Sequence, residues 1–410
     1  MPTDRVSSRV RNMPPSGIRR FFDIAATMED VISLSVGEPD FMTPQHIRDA
    51  AHHAIEISNA YTSNSGLIEL REAIAEHLYR LYGVAYNADT ELMITAGVSE
   101  GLQSAALALF DPGDEVIMTD PGYVAYSGSI MIANATPICV PTYAANAFQV
   151  TAADIEAHIT PRTRAILLGY PSNPTGAVMS REGLLEIAAV VERHNLVVIS
   201  DEIYDRLVYG AEHVCFSSMP GMRERTVLMG GFSKAYAMTG WRLGWIAAPR
   251  DLTEAAGKIH QYGMLSAPTM SQHAALQAIR HGEDDVQHMV AEYDRRRRYI
   301  VDRFNHMGLT TVEPQGAFFA FPYIGHLGMS SDMFAERVLQ EAHVAIIPGS
   351  AFGAYGEGFV RVCYATSLDR IEAALDRIES FLQRNDLVRH AEPALVGAEL
   401  NGWNAGQYAA

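Results

Sequence analysis

The sequence predicts an α/β protein: a large, mostly parallel sheet with helices on both faces, joined to a smaller α+β domain. Three observations carry this prediction. From about residue 90, short apolar segments alternate with helical patterns, as they do in parallel sheets. The segment 196–199 is apolar at every position, as burial on both faces of a sheet requires. Beyond about residue 285 the alternation is replaced by a long charged helix and mixed elements.

Seven strands are predicted for the large sheet. They are the segments 91–97, 114–120, 135–141, 164–170, 196–204, 226–234 and 244–249, with helices at 99–110 and 181–195. Polar or turn-forming residues stand at the ends of several strands, at Gly97, Asn173, Asp201 and Ser233. Since ligands bind at the carboxyl ends of strands in open α/β sheets, these ends predict one site.

The smaller domain is predicted from the mixed pattern beyond about residue 285. After the long charged helix it has a strand at 317–324, a helix at 331–342, a strand at 359–365 and a last helix from 367 to about 384. The four consecutive arginines Arg295 to Arg298 are interpreted as the solvated face of the long helix.

The predicted domain boundaries follow from these patterns. Residues 1–44 are expected to form an N-terminal arm and part of the small domain, 45–285 the large domain with the site at its strand ends, and 286–388 the small C-terminal domain. Residues 389–410 have no helical or strand period, and we expect a loose tail.

Composition narrows the classes of function. The chain has 410 residues, with 31 Lys and Arg against 48 Asp and Glu, a net charge of −17. Nucleic acids and anionic membranes need a basic surface, so neither is an expected partner. No apolar run reaches the roughly 18 residues of a membrane span. The three cysteines are widely separated without a CxxC spacing, which predicts no metal site, no disulfide framework and a cytoplasmic location.

The segment GGFSKAYAMTGWRLG, residues 230–244, contains the most informative lysine. Only Lys234 and Lys258 are lysines in the whole chain. Lys234 lies at the end of a predicted strand, in a glycine-flanked turn, where an amine serves as a nucleophile toward a carbonyl group. Lys258 lies on a plain helical pattern and is interpreted as a surface lysine. Lys234 is therefore the candidate for a Schiff base.

The segment around Lys234 resembles the lysine motif of the class I and II aminotransferases, pyridoxal-phosphate enzymes of fold type I that include aspartate aminotransferase. The resemblance extends from about Gly17 to about Arg384 and rests on several motifs in the same order. It implies the cofactor pyridoxal 5′-phosphate, held by Lys234.

Three motif residues correspond to groups around the cofactor ring. Asn173, in PSNPTG, corresponds to an asparagine that binds the phenolic oxygen and lies against the substrate. Tyr204, in SDEIYDRL, corresponds to a tyrosine that reaches the same oxygen. Asp201 corresponds to the aspartate that keeps the pyridine nitrogen protonated, so that the ring withdraws electrons from the substrate's α-carbon. The resemblance thus makes Lys234, Asp201 and Tyr204 the catalytic residues.

The cofactor phosphate needs several donors. The glycine turn in ITAGVSEGL opens a helix, so the N–H groups near Val98 and Ser99 face the phosphate with the helix dipole behind them. Ser233 and Arg242 resemble the family's side-chain phosphate ligands. Tyr61 corresponds to a tyrosine that reaches the phosphate of the neighbouring subunit, which implies a homodimer with shared active sites.

The remaining motifs concern ring stacking and the substrate carboxylate. Tyr123, in DPGYVAY, corresponds to the ring stacked on the pyridine, with the register against Tyr126 left open. Arg361, in FVRVCYATS, corresponds to the carboxylate-binding arginine, whose planar fork of donors a lysine lacks. Gly37, in SLSVGEPDF, corresponds to a backbone contact with the same carboxylate.

The function implied is a ping-pong aminotransferase that moves the amino group of an L-amino acid to a 2-oxo acid, with 2-oxoglutarate expected. Two alternatives stay open: a carbon–sulfur lyase or other elimination enzyme, which begins with the same α-proton abstraction, and, more remotely, an aminotransferase-like transcriptional regulator. The amino donor is also open: comparable segments in the family place Ile18, Phe22 and residues 263–270 near the side-chain pocket, but packing explains their apolar residues equally well.

Overall fold

The structure is a computed structural model that describes residues 5–11, 13 and 28–387. The predicted tail and the residues Ile18 and Phe22 lie outside the described residues. Among the described helices, none combines the length and the apolar character needed to cross a membrane.

Seven strands form the large sheet. The strands of the described residues are β1 (Ile32–Ser33), β2 (Leu92–Thr95), β3 (Glu115–Asp120), β4 (Thr136–Pro141), β5 (Thr163–Gly169), β6 (Val197–Asp201), β7 (Thr226–Gly231), β8 (Gly244–Ala247), β9 (Phe319–Ala320), β10 (Val344–Ala345), β11 (Ile347–Pro348) and β12 (Val360–Cys363). The large sheet has the order β2-β8-β7-β6-β5-β3-β4, in which β8 runs opposite to the other six strands. The predicted mostly parallel sheet is confirmed.

The described residues also form twelve α-helices, several of which pack on this sheet. They are α1 (Ser8–Arg11), α2 (Gln45–Ile57), α3 (Ile68–Tyr82), α4 (Val98–Leu109), α5 (Ala125–Ile132), α6 (Ala152–Ala157), α7 (Arg181–Arg193), α8 (Arg250–Gly263), α9 (Thr269–His281), α10 (Glu283–His306), α11 (Ser331–Ala342) and α12 (Leu368–Arg384). Short 3₁₀ turns connect several of them.

Both faces of the large sheet are covered, as alternate residues of β5 illustrate. Ala165 and Leu167 pack in one apolar cluster with α4 and α5, whereas Ile166 and Leu168 pack in another with α7. Successive side chains of a strand point to opposite faces, so burial of both sets requires helices on both sides. Within the segment predicted as fully buried, Val197 is only half buried.

Two smaller sheets lie outside the large one. β9, β12 and β11 form an antiparallel sheet of three strands, and β1 pairs in parallel with β10. The segment before residue 44 therefore contacts the C-terminal part of the chain. The predicted strand at 317–324 is shorter in the structure, where only Phe319–Ala320 is regular strand. The domain boundaries themselves stay a prediction.

The arginine run on α10 differs from its prediction. Arg295 and Arg298 are exposed, but Arg296 and Arg297 are buried, with about 5% and 6% of their surface accessible. Successive residues of an α-helix point about 100° apart, so four in a row cannot share one solvated face. The interpretation is thus wrong for the two middle arginines, which pair with the partly exposed carboxylates of Asp40 and Asp294.

Candidate active site

A cavity of about 730 Å³ lies at the carboxyl ends of the large sheet's strands. Of the twelve predicted site residues, eleven line it. They are Gly37, Val98, Ser99, Tyr123, Asn173, Asp201, Tyr204, Ser233, Lys234, Arg242 and Arg361. Tyr61 is not among the lining residues of this chain, and 83% of its surface is exposed.

Lys234 follows β7 and points its amine toward the N-terminal part of the chain. Its Nζ donates a hydrogen bond to the carbonyl oxygen of Gly37 at 2.7 Å. The rings of Tyr204 and Phe318 lie 5.8 and 5.7 Å from Nζ. Desolvation by this surrounding is the main cause that lowers the pKa of Lys234 to about 8. A neutral amine, the nucleophilic form, is therefore accessible near neutral pH.

Asp201 is the last residue of β6 and is buried below the cavity surface. Its Oδ2 accepts a hydrogen bond from the Tyr126 hydroxyl at 2.9 Å, and its Oδ1 accepts one from the Ile203 N–H at 3.2 Å. Burial outweighs these bonds and raises the pKa of Asp201 to about 6. A cation placed beside this carboxylate would offset its desolvation.

The two tyrosines of DPGYVAY have different surroundings. Tyr126 is buried with its hydroxyl on Asp201, and Tyr123 is half buried beside the cavity, with the two rings edge to face at 5.4 Å. This geometry favours Tyr123 as the ring-stacking residue. The bond from Tyr126 to Asp201 was missed in the sequence. The sequence feature that could have indicated this bond is Gly169 at the end of β5. Tyr126 packs so closely there that a Cβ on residue 169 would lie 2.3 Å from its hydroxyl oxygen.

One end of the cavity presents hydrogen-bond donors and a positive charge, the chemistry that binds an anion. α4 begins after Gly97, and no side chain of the described residues caps it, so the N–H groups of Val98 and Ser99, two residues that line the cavity, have no side-chain acceptor. The guanidinium of Arg242 lies beside this turn: a Cβ on Gly97, whose φ is +81°, would stand 2.8 Å from Nη2. Glycine thus permits both the turn and the close approach of Arg242.

The other end contains a buried guanidinium. Arg361, on β12, donates to Asn173 Oδ1 at 2.9 Å and to the carbonyl oxygen of Ser35 at 2.5 Å. Its Cζ lies 4.4 Å from the ring centre of Phe319 and 4.8 Å from that of Phe352. The Nε atom is buried without a hydrogen-bond partner among the described residues. An incoming carboxylate would satisfy this cation.

Comparison with known proteins agrees with the site. The family model for aminotransferase class I and II matches residues 29–378. The chain is 48% identical to a putative aminotransferase, YugH, of Bacillus subtilis, over 93% of this chain and 99% of that protein. It is 43% identical to an aspartate aminotransferase of Pyrococcus abyssi, with coverages of 93% and 99%.

A solved structure extends this similarity to the fold. An aromatic aminotransferase from Pyrococcus horikoshii superposes with a TM-score of 0.86 at 42% identity, covering 90% of this chain and all of that one (100%). The similarity covers nearly the full length in sequence and in structure, so the resemblance seen in the motifs is confirmed. The chain belongs to the class I and II aminotransferase family.

Proposed function

We propose that the cavity binds pyridoxal 5′-phosphate and that this aminotransferase moves the amino group of an L-amino acid to a 2-oxo acid, with 2-oxoglutarate as acceptor, in a ping-pong cycle. One observation carries the proposal. The amine of Lys234, whose pKa is lowered to about 8, lies in one cavity with the exposed cation Arg242 and the buried cation Arg361.

The residues present fit the cofactor. The cofactor's phosphate is a dianion, and the uncapped start of α4 together with Arg242 offers donors for it. Its ring nitrogen is a cation when protonated, and the desolvated carboxylate of Asp201 is a suitable partner. Its aldehyde needs an amine, and Lys234 supplies one. Each feature of the cofactor therefore has a group of matching chemistry.

When bound, the cofactor supplies a conjugated ring that withdraws electrons from the substrate's α-carbon. Asp201 keeps the ring nitrogen protonated by its negative charge. The Oδ1 of Asn173 already accepts from Arg361, so its amide NH₂ remains to donate to the phenolic oxygen. Burial raises the pKa of Tyr204 well above its usual value, so its hydroxyl also stays a donor.

Lys234 acts on the proton at the α-carbon. In its neutral form the amine accepts this proton, and the carbonyl of Gly37 holds the resulting ammonium. Arg361 orients the substrate by pairing with its carboxylate, and the two phenylalanine rings that flank the guanidinium exclude water. These two residues together fix the α-carbon beside the amine.

The proposal extends to the assembly. A homodimer with shared active sites fits Tyr61, an exposed aromatic side chain outside its own cavity. Mixing a Tyr61→Ala chain with a Lys234→Ala chain tests this, because a mixed dimer contains one site with both residues intact. Recovery of activity above that of either variant supports the shared site, and no recovery in a verified mixed dimer contradicts it.

A cytoplasmic location is also proposed. The three cysteines Cys139, Cys215 and Cys363 are free thiols, which fits a reducing compartment. Fractionation of cells that produce the full chain tests this, and recovery outside the cytosol contradicts it.

The test of the reaction is a panel of L-amino acids, including aspartate and the aromatic amino acids that the names of the relatives mention, each supplied with 2-oxoglutarate. We expect glutamate and the donor's 2-oxo acid in equal amounts. None of the relatives named above is called a lyase or a transcriptional regulator. Release of ammonia without consumption of 2-oxoglutarate would favour the elimination alternative over transamination.

A further inference from the structure

The buried half of the arginine run connects α10 to the segment beside Lys234. Arg296 donates from Nη1 to Asp40 Oδ1 and from Nε to Glu292 Oε1, both at 2.8 Å. Its Cζ lies 5.4 Å from the ring centre of Phe41 and 5.7 Å from that of Tyr293. Only 6% of the Arg296 side chain is exposed, compared with 26% for Asp40. The ion pair thus joins two elements 256 positions apart in sequence.

Asp40 stands three residues after Gly37, whose carbonyl accepts the hydrogen bond of Lys234. Between them, Pro39 has a fixed φ, and Glu38 is restricted because it precedes a proline. Gly37 itself is pressed against Phe319, since a Cβ there would lie 2.9 Å from the ring's Cζ. Because the backbone between them is restricted, a displacement of Asp40 also displaces the Gly37 carbonyl.

We propose that Arg296 is a positioning residue, which holds Asp40 and thereby aims the Gly37 carbonyl at the amine of Lys234. The proposal rests on the proposed function, in which this amine moves the substrate's α-proton. Arg296 does not line the cavity and acts only through the segment 37–41.

The direction of the effect follows from which groups move. The rings of Tyr204 and Phe318, which desolvate the amine, do not belong to the segment 37–41, and we expect them to keep desolvating the amine without the ion pair. The hydrogen bond to the Gly37 carbonyl favours the charged amine while it is present, because a hydrogen bond from an ammonium is stronger than one from a neutral amine. Loss of the ion pair therefore makes the Lys234 ammonium release its proton more easily.

The variants are chosen to separate this role from folding. Arg296→Gln removes the charge, and Arg296→Lys keeps the charge but cannot donate to Asp40 and Glu292 in the same fork. Asp40→Asn removes the partner's charge and keeps the volume of this partly exposed side chain. Arg298→Gln is the matched control. Arg298 belongs to the same run, but 70% of its side chain is exposed and it pairs with Asp294 instead.

The first measurement needs no cofactor. The full chain is labelled with acetic anhydride across a range of pH, and mass spectrometry follows Lys234, with the exposed Lys258 as internal reference. In Arg296→Gln and Asp40→Asn we expect the proton dissociation constant of Lys234 to rise about tenfold. In Arg298→Gln it stays within about twofold of the parent value.

The second measurement uses the cofactor-loaded enzyme. In the Arg296 and Asp40 variants, kcat should fall about tenfold and its acid limb should move to lower pH, with KM for the donor nearly unchanged. An unchanged titration of Lys234 in Asp40→Asn overturns the proposal even if Arg296→Gln fails to fold, and an equal change in Arg298→Gln also overturns it. A shifted titration in a chain that transaminates nothing supports the positioning role and contradicts the proposed function instead.

Discussion

The two cationic ends of the cavity are built in opposite ways. Arg361 is held on a strand, with 4% of its surface exposed, between two phenylalanine rings and with fixed partners in Asn173 and Ser35. Arg242 is exposed, follows a 3₁₀ turn in a left-handed conformation, and donates to the carbonyl of Thr239. Both are arginines that can meet an anion, yet only the first is desolvated beforehand.

The difference in burial determines which groups contribute to anion binding at each end. A buried guanidinium interacts strongly in its low-dielectric surroundings, and removing its partner leaves an uncompensated charge. An exposed guanidinium contributes less by itself, but at the helix start the backbone N–H groups share the anion with it. We therefore expect the Arg361 end to depend on one side chain and the Arg242 end to be distributed over several groups.

The largest effect is expected at the buried end. Arg361→Lys should lower kcat/KM for the amino donor about a thousandfold, roughly 4 kcal/mol, because an ammonium cannot form the planar fork and its charge stays buried. Steady-state kinetics with the best donor measures this. Cofactor affinity should change little, and a comparable loss of cofactor binding would break the distinction between the two ends.

Asp201, buried between the ends, tests whether desolvation governs the middle of the cavity. Its pKa is raised from 3.8 to about 6 in the folded, cofactor-free chain, so the folded state binds the proton more tightly than the unfolded state. Its contribution to stability is thus fully present below pH 3.8 and is lost as the pH rises through about 6. Relative to the parent, Asp201→Asn should gain about 3 kcal/mol of unfolding free energy across this window. Urea titrations of both cofactor-free chains measure the difference, and parallel pH profiles would contradict the account.

A smaller effect is expected at the exposed end. Arg242→Lys should weaken the cofactor's affinity about tenfold, because the point charge persists while the bidentate contact is lost and the helix N–H groups remain. Equilibrium dialysis of the cofactor measures this, with the Arg361→Lys chain as the control. A loss of a thousandfold would mean that Arg242 alone carries the phosphate.

The smallest effect is a difference in salt dependence. Between about 0.1 and 1 M salt the Debye length falls from about 10 to about 3 Å, which screens exposed charges far more than buried ones. Cofactor affinity should therefore weaken about threefold over this range, and the Arg242→Gln chain should lose most of that dependence. Titrations of both chains at several salt concentrations check this. Equal salt dependence in the two chains would show that Arg242 does not bind the cofactor phosphate.

The sequence predicted most of the site because the signals are local. Asn173, Asp201 and Lys234 each lie just beyond or at the end of a strand, and a parallel sheet brings such ends to one edge whatever the details of packing. Their neighbours in sequence carried motifs that could be recognised without knowledge of any distant contact.

The features that the sequence did not predict depend on distant contacts. Burial of Arg296 requires the phase of α10 relative to Asp40, which precedes it by 256 positions. The bond from Tyr126 to Asp201 joins residues 75 positions apart and depends on how α5 packs against β6. Periodicity within one segment contains no information on either contact.

The central claim, that Lys234 holds the cofactor, is tested most directly by fixing the cofactor with borohydride and locating it by mass spectrometry. The chain has only one other lysine, Lys258, which is exposed on α8 and serves as an internal control. We predict that the added mass is on the peptide containing Lys234 and absent from that containing Lys258, and that Lys234→Ala abolishes both labelling and transamination. Label on Lys258 instead, or a Lys234→Ala chain that keeps full transamination, would contradict the account.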